Sequence, residues 1–404
     1  MNPMTGKNGQ LGGIFIVAGT CIGGGVIALP MMLASVGLIF TVLIMAIMWA
    51  TMYYSALINL ELNLQAGTGI DIGNLGKRFS GQGAAWLGRL VLLLLMYALM
   101  AAYFYGLSSL FLEILQLSPK SRLFVTTAVA LAFCVLMIAP IRRLDAINRR
   151  LFIAMLAVAG ILLIGLLRHV SWDKSLLFPP PTAKFHHWIA VIPVLFTSFG
   201  FQVVFHTLSN YYEMNKKVLR RVFLLGSLIP AVVYIAWTVA VLLAVHGHNP
   251  QFYGKMVLGQ TDVGSLVSEL GHITANPAIR SIVWIVSVLA IATSMIGVGA
   301  GLCDTLKVYL PGKFHLAHPR ILPAVVGTIP SLIFAMIVPG AFIVILGVAG
   351  IILAVLAILL PVYLIRRGKF TDLNYSFAGN PVAQFLILAA AIWVIFCEMA
   401  HFHF

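Results

Sequence analysis

The sequence contains little charge, and acidic residues are especially few. Of its 404 residues, 9% are charged and 61% are hydrophobic, and 25 Lys and Arg stand against 11 Asp and Glu. An ordinary soluble protein carries about a quarter charged residues. The chain therefore lacks the polar surface that a soluble domain, a disordered chain or a coiled coil requires. The composition is typical of helices that span a lipid bilayer.

Cysteines and catalytic motifs are also scarce. The four cysteines, Cys21, Cys134, Cys303 and Cys397, lie in apolar runs without the close spacing of a metal site or a disulfide framework. The sequence has no ATP-binding motif and no intramembrane catalytic set such as His-Glu-x-x-His. We therefore expect neither an enzyme nor an ATP-driven pump, with no cofactor and no ATPase subunit, and an ion gradient as the energy source.

Long apolar runs, by contrast, fill the chain. A spanning helix needs about 20 apolar residues. Asn8–Leu60, with a hinge at 35–37, and Ile321–Ile365, with a hinge at 339–340, are each long enough for two helices. Single helices are predicted in Leu90–Leu112, Leu123–Ile141, Leu151–Leu167, Phe185–Tyr212, Val222–Gly254, Ser281–Cys303 and Leu373–Cys397. Because the runs do not alternate as β-barrel strands do, we predict an all-α integral membrane protein with eleven transmembrane helices.

The positive charges predict the orientation. Eighteen of the 25 Lys and Arg fall in the segments on the same side as the N-terminus, and seven fall on the other side. Cytoplasmic loops are enriched in Lys and Arg, so we expect the N-terminus inside and the C-terminus outside. The net charge of +14 is then a topology signal, and no nucleic-acid partner is expected.

Two spans are interrupted near their midpoints. The first carries Gly19 and the run Gly23-Gly24-Gly25, and each glycine costs a helix about 1 kcal/mol. Close packing of helices is the alternative reading. The sixth span carries Gly200 among hydroxyls and an amide. Interrupted helices at matched positions of two inverted halves indicate a transporter site, and their free N–H and carbonyl groups suit an amino-acid zwitterion.

The interrupted spans divide the chain into two halves within a single transporter domain. Residues 11–168 form the first five-helix repeat, residues 185–366 form the second, and residues 373–404 add an eleventh helix. A channel would need a repeated filter or a ring of like charges. The paired interruptions favour alternating access instead.

Several stretches resemble a known family. They are Val17–Pro30, Met96–Tyr103, Ile192–Phe201, Ala292–Asp304 and Pro339–Pro361. In this order they resemble the hydroxy and aromatic amino acid permease family of the amino acid–polyamine–organocation superfamily, particularly its tyrosine-specific members. The resemblance implies a LeuT-type 5+5 inverted repeat with broken helices 1 and 6, plus an eleventh helix.

The resemblance also implies a function. It implies a bacterial inner-membrane symporter that imports aromatic amino acids, normally driven by protons, with the C-terminus in the periplasm. Tyrosine is implied first, and tryptophan and phenylalanine come after it. A sodium-coupled amino acid symporter of the same fold, or a serine or threonine permease, is also compatible with these stretches. The amino acid substrate and the lipid bilayer are then the expected partners.

The candidate site residues come from the two interruptions and from the third predicted span, Leu90–Leu112. For the substrate backbone we predict Gly19, Thr20, Gly23, Gly24, Gly25, Thr197, Ser198, Phe199 and Gly200. An aromatic ring needs apolar walls and a few placed polar groups, for which we predict Tyr97, Tyr103, Phe199, Phe201 and Gln202. Aromatic residues in spans also serve packing or the membrane interface, which is the alternative for each.

The coupling ion has two sets of candidates. Where the family usually has a histidine in the sixth span, this sequence has Gln202, and His206 follows one helical turn later. His206 is the proton-coupling candidate, with an ordinary hydrogen-bonded histidine as the alternative. Thr293 and Ser294 offer the hard oxygen ligands that a sodium ion prefers, or they bond back to their own helix. No other metal is expected.

Overall fold

The computed structural model describes residues 7–167, 170, 172–273, 277–309, 320–338, 341–368, 370 and 373–401, and this part of the chain is helical without any strand. Its helices are α1 (Lys7–Cys21), α2 (Gly25–Leu33), α3 (Leu38–Ala66), α4 (Ile72–Ser80), α5 (Gln82–Ile114), α6 (Arg122–Ile138), α7 (Ile141–Leu167), α8 (Phe185–Ser198), α9 (Phe205–Tyr211), α10 (Lys216–His248), α11 (Pro250–Val257), α12 (Val263–Ile273), α13 (Pro277–Tyr309), α14 (Ile321–Ile337), α15 (Ala341–Ala354), α16 (Leu360–Gly368) and α17 (Pro381–His401). A π-helical turn, Val355–Leu359, joins α15 to α16.

The predicted all-helical, multi-span class is confirmed. Within the described residues, nine helices are long and apolar enough to cross a membrane, and the bent pair Gln10–Cys21 and Gly25–Leu33 makes a tenth if it is one span. Ile321–Ile337 is an apolar helix of 17 residues. The count of eleven spans therefore stays a prediction.

The outer surface of the bundle is apolar. Phe124 is 74% exposed on α6, and Val135 is 69% exposed on the same helix. Phe385 on α17 and Ile337 on α14 are similarly exposed. Soluble monomers rarely present such extended apolar surface, whereas helices in a bilayer satisfy their backbone internally and turn apolar side chains to the lipid.

The first predicted hinge is present between α2 and α3. Gly37 adopts a φ of 81° there, in the left-handed region where a side chain is strained. A Cβ at Gly37 would also lie 2.5 Å from the carbonyl carbon of Phe178. Gly37 therefore provides both the turn and a close approach of two chain segments. The second predicted hinge, at 339–340, lies outside the described residues.

The helices pack so that the two interruptions face each other. α5 lies at the centre and contacts α13, α14 and α15, while α1 packs against α10. α8 packs against α2, α15 and α17. The end of α8 is thereby brought beside the short segment that separates α1 from α2.

Candidate functional site

The first interruption lies at residues 22–24, and α1 and α2 meet there at 50°. α2 begins where the N–H of Val26 bonds to the carbonyl of Gly23 at 3.1 Å. Within the part of the chain that the structure describes, the N–H groups of Gly24 and Gly25 donate to no backbone carbonyl. They are the donors that the start of α2 can offer to an anion.

The three glycines allow neighbouring helices to approach closely. A Cβ on Gly23 would overlap the hydroxyl of Ser294, and one on Gly25 would lie 2.6 Å from the Ser198 hydroxyl. A Cβ on Gly24 would lie 3.0 Å from the ring of Phe342. Gly24 has an ordinary right-handed conformation, with φ −53°. The run of glycines thus accompanies both an interruption and close packing, the two readings that the sequence left open.

The second interruption lies at residues 199–201, between the end of α8 and the 3₁₀ turn Gln202–Val204. The Thr197 hydroxyl is 2.9 Å from the carbonyls of both Pro193 and Leu346, the second of which belongs to α15. The Gln202 side-chain oxygen accepts the N–H of Phe201 at 2.9 Å. Side chains therefore satisfy part of the backbone that the interruption exposes.

Tyr234 on α10 joins the two interruptions. Its buried hydroxyl donates to the carbonyl of Cys21 at 2.6 Å, lies 3.4 Å from the carbonyl of Ser198, and bonds the N–H of Gly23. This residue was not predicted from the sequence. The signal that could have found it was a polar-tipped aromatic residue in the middle of the run Val222–Gly254.

A second residue of α10 that was not predicted from the sequence supports α2. Pro30 lies inside α2 and has no N–H, so the carbonyl of Val26, four residues earlier, loses its helical partner. The indole N–H of Trp237 donates to this carbonyl at 2.7 Å. The helices on both sides of the first interruption are thus held by α10.

Thr293 and Ser294 are buried in α13. The Ser294 hydroxyl donates to the carbonyl of Ile22 at 3.3 Å and also bonds Tyr103. The Thr293 hydroxyl lies 2.8 Å from the carbonyl of Leu289 in its own helix. Ser294 therefore contacts the first interruption, and a cation bound there would have to replace its bond to Ile22.

A cavity of about 40 Å³ lies between the two interruptions. Nine of the predicted residues line it: Thr20, Gly23, Gly24, Gly25, Tyr103, Thr197, Ser198, Gly200 and Gln202. Cys21 and the apolar side chains Leu95, Leu99, Val203, Val298, Leu346 and Leu353 complete its wall. The lining residues include no Asp, Glu, Lys, Arg or His. The volume suits about one water molecule, so an amino acid would require the walls to move apart.

This small cavity adjoins a vestibule of about 770 Å³, and Gln202, Val203 and Val298 line both. The vestibule extends to Asp71, Arg89 and Asp304. Toward the opposite end, Phe342 is 2% exposed and packs against Gly24. In this structure the site is therefore closer to the open space of the vestibule.

The vestibule contains polar residues that were not singled out from the sequence. Asn59 and Asn63 of α3 line it. Asn59 donates to the carbonyl of Ala357 in the π-helical turn at 3.1 Å, and the Ser55 hydroxyl donates to the same carbonyl at 2.6 Å. π-Helical turns are frequent at functional sites, and this one lies just beyond Leu353 of the small cavity.

Four of the predicted substrate-binding residues lie away from the small cavity. Gly19 faces the ring of Phe152 on α7. Phe199 and Phe201 are fully buried, and their rings pack against Tyr234 and Phe223 respectively. Tyr97 donates its hydroxyl to the carbonyl of Val326 on α14 at 3.1 Å. His206 belongs to α9, but its side chain lies outside the described residues.

Comparison with known proteins identifies the family. Residues 6–398 match the tryptophan/tyrosine permease family. The chain belongs to this family. The members of this family are permeases, and this confirms that the chain is a transporter and not an enzyme.

Individual relatives match over nearly the whole length. Tyrosine-specific transport system 1 of Haemophilus influenzae is 32% identical over 96% of this chain and 96% of its own. Glutamine transporter 2 of Aliivibrio fischeri is 29% identical over 96% of this chain and 98% of its own. The crystal structure of MhsT in complex with L-phenylalanine aligns with a TM-score of 0.60 at 14% identity, covering 98% of this chain and all of that one. This likeness supports the LeuT-type fold.

Proposed function

We propose that this protein imports aromatic amino acids, tyrosine first, by proton symport and alternating access. The observation that carries the proposal is that both interruptions border one cavity whose lining residues carry no charged side chain. A zwitterion held there would be recognised by the backbone. The N–H groups of Gly24 and Gly25 would bind its carboxylate, and the carbonyls that end α1 and α8 would bind its ammonium group.

The chemistry of the remaining wall suits an aromatic side chain. Leu95, Leu99 and Val298 are apolar, and Tyr103 and Gln202 are the polar groups beside them. The side-chain nitrogen of Gln202 lies 3.9 Å from the sulfur of Met52, which is a weak acceptor. This nitrogen can therefore donate to a phenol oxygen. The name of the Haemophilus influenzae relative supports tyrosine, and that of the Aliivibrio fischeri relative makes glutamine the competitor to exclude.

The topology proposed with this function has eleven spans. The nine long helices, the bent pair and α14 make up that number. Residues 11–168 and 185–366 would be the inverted repeats, and the last helix would follow them. With the N-terminus in the cytoplasm and the C-terminus in the periplasm of a bacterial inner membrane, the vestibule opens to the cytoplasm.

A proton is the proposed driving ion, and each charge moved inward is worth about 2.3 kcal/mol per 100 mV. Sodium coupling is the second candidate because of one observation. The Ile22 carbonyl and the Ser294 hydroxyl lie 3.3 Å apart, and Thr293 is the next residue. Carbonyl and hydroxyl oxygens of this kind are ligands for a hard cation.

The test is uptake of labelled tyrosine into proteoliposomes, with an inward pH gradient in one arm and an inward sodium gradient in the other. Unlabelled tryptophan, phenylalanine, serine and glutamine serve as competitors. Accumulation on the pH gradient alone, inhibited by the aromatic competitors, is the expected result. Accumulation that needs sodium would replace the proton with sodium. Absence of aromatic uptake in both arms would overturn the substrate assignment.

A further inference from the structure

A buried carboxyl group on α17 has no role in the site described above. Glu398 is 1% exposed, and its Oε1 atom accepts no hydrogen bond from the described residues. Both carboxyl oxygens lie against α15 at Gly347, where a Cβ would overlap them. An acid within a membrane-spanning helix is costly and is a functional candidate by default.

α15 connects this carboxyl group to the small cavity. Gly347 directly follows Leu346, whose carbonyl lies 2.9 Å from the Thr197 hydroxyl at the end of α8. Leu346 itself lines the cavity. α15 therefore contacts both groups. The Glu398 carboxyl group lies against its backbone at Gly347, and the Thr197 hydroxyl bonds the carbonyl of the preceding residue, Leu346.

A further cavity lies on the side of Phe342 away from the vestibule, beside the turn of α17 that follows Glu398. It has a volume of about 270 Å³, and we call it the histidine cavity because His186, His187 and His401 line it. His401 lies three residues after Glu398 on α17, which places the two on adjacent turns of one face. Phe342, which packs against Gly24 of the site, also lines this cavity.

Few other titratable groups surround Glu398. α15 and the π-helical turn carry none in their sequences. The titratable residues of α17 and of the helices that pack on it are Cys397 and His401 on α17, His186 and His187 on α8, and Tyr53, Tyr54 and Glu61 on α3. The Glu61 carboxyl accepts the N–H groups of Asn374 and Tyr375 at 3.0 Å. None of the described ion pairs includes Glu398.

We propose that Glu398 binds the coupled proton and transmits its binding to the substrate site through α15, an inference that rests on the proposed proton symport. A proton from water in the histidine cavity binds a carboxylate oxygen, and the neutral carboxyl group packs against Gly347. When the proton returns to water, the negative charge lacks a partner, so α15 and α17 separate to hydrate it. The bond between Leu346 and Thr197 then weakens. Glu398 is thus a positioning residue for the substrate.

The experiment measures binding of labelled tyrosine to the purified full chain between about pH 5 and about pH 9, the range in which a buried carboxyl group titrates. Proton and substrate binding favour the same arrangement, so wild-type affinity should fall at least about fivefold as the pH rises. Glu398→Gln, which stays neutral, should bind with an affinity independent of pH. Glu398→Asp should restore the pH dependence, and Glu113→Gln, at the end of α5, should retain it as the matched control.

The outcomes separate this inference from the proposed function. A pH dependence in Glu398→Gln equal to that of wild type would overturn the inference alone, and so would wild-type binding that does not vary with pH. Wild type that binds no aromatic amino acid would overturn the proposed function itself. Should Glu398→Gln fail to fold, carbodiimide labelling of wild type decides: Glu398 should be modified more at low pH, and its absence from the labelled peptides overturns the inference.

Discussion

The hydroxyl of Tyr234 is the most direct test of how the two interruptions are held together. Replacing Tyr234 by Phe removes only the hydroxyl. It keeps the ring that packs on Phe199, with 5.6 Å between the two ring centroids. That hydroxyl bonds the carbonyl of Cys21 at 2.6 Å and the N–H of Gly23. Both partners belong to the segment that would contact the substrate backbone.

The size of the effect follows from the groups left behind. A buried donor or acceptor that loses its partner costs about 1–3 kcal/mol, and Tyr234→Phe leaves one of each. Part of this cost is relieved if the first interruption changes its conformation, which disturbs the arrangement of Gly24 and Gly25. A loss of about 1.4 kcal/mol in substrate binding is tenfold in Kd. We therefore expect the Kd for tyrosine to rise about tenfold and the protein to melt at a lower temperature.

The control is the same substitution outside the site. Tyr253 on α11 is 6% exposed, and its hydroxyl donates to the carbonyl of Ala34 at 3.0 Å. Burial raises the pKa of Tyr253 to about 12, so its hydroxyl stays neutral during the assay. Tyr253→Phe should lower the melting temperature and leave the Kd for tyrosine unchanged. Equal Kd values in the two variants, measured by equilibrium binding, would refute the role given to Tyr234.

Three further substitutions test other contacts. Trp237→Phe removes the donor to a carbonyl of α2 and should cost about 1–3 kcal/mol of stability by thermal unfolding, whereas Trp86→Phe, at a side chain 67% exposed, should cost nothing measurable. Gly25→Ala places a methyl group among the site hydroxyls and should abolish tyrosine uptake; Gly83→Ala meets no neighbour within 4 Å and should transport normally. Gln202→Leu should reduce the preference for tyrosine over phenylalanine in competition assays at least about tenfold, and an unchanged preference would remove Gln202 from ring recognition.

The positions of the interruptions could be predicted from the sequence because glycine and hydroxyl residues mark them locally. The direction in which each side chain points could not. Tyr97 and Tyr103 both lie in the motif of span three, but six residues turn a helix by about 240°. Only Tyr103 lines the small cavity, and Tyr97 bonds α14 instead.

Contacts between distant helices could not be predicted from the sequence. Tyr234 and Trp237 are ordinary members of an apolar run until α10 is packed against α1 and α2. Glu398 directly follows the apolar run that ends at Cys397, a position typical of residues at the membrane surface. The structure buries it to 1% exposure against Gly347, because α15 has no side chain at that position to keep the two helices apart.

The π-helical turn Val355–Leu359 lies in the span that contains α15 and α16. It determines which way the side chains after it point. A π-helical turn holds one extra residue, so a deletion of one residue within it would rotate everything that follows by about 100°. Leu353, before the turn, lines the small cavity, whereas Tyr363, after it, bonds the Ser80 hydroxyl at 2.7 Å. The chain therefore uses a single inserted residue to direct one half of a helix toward the small cavity and the other half toward a different neighbour.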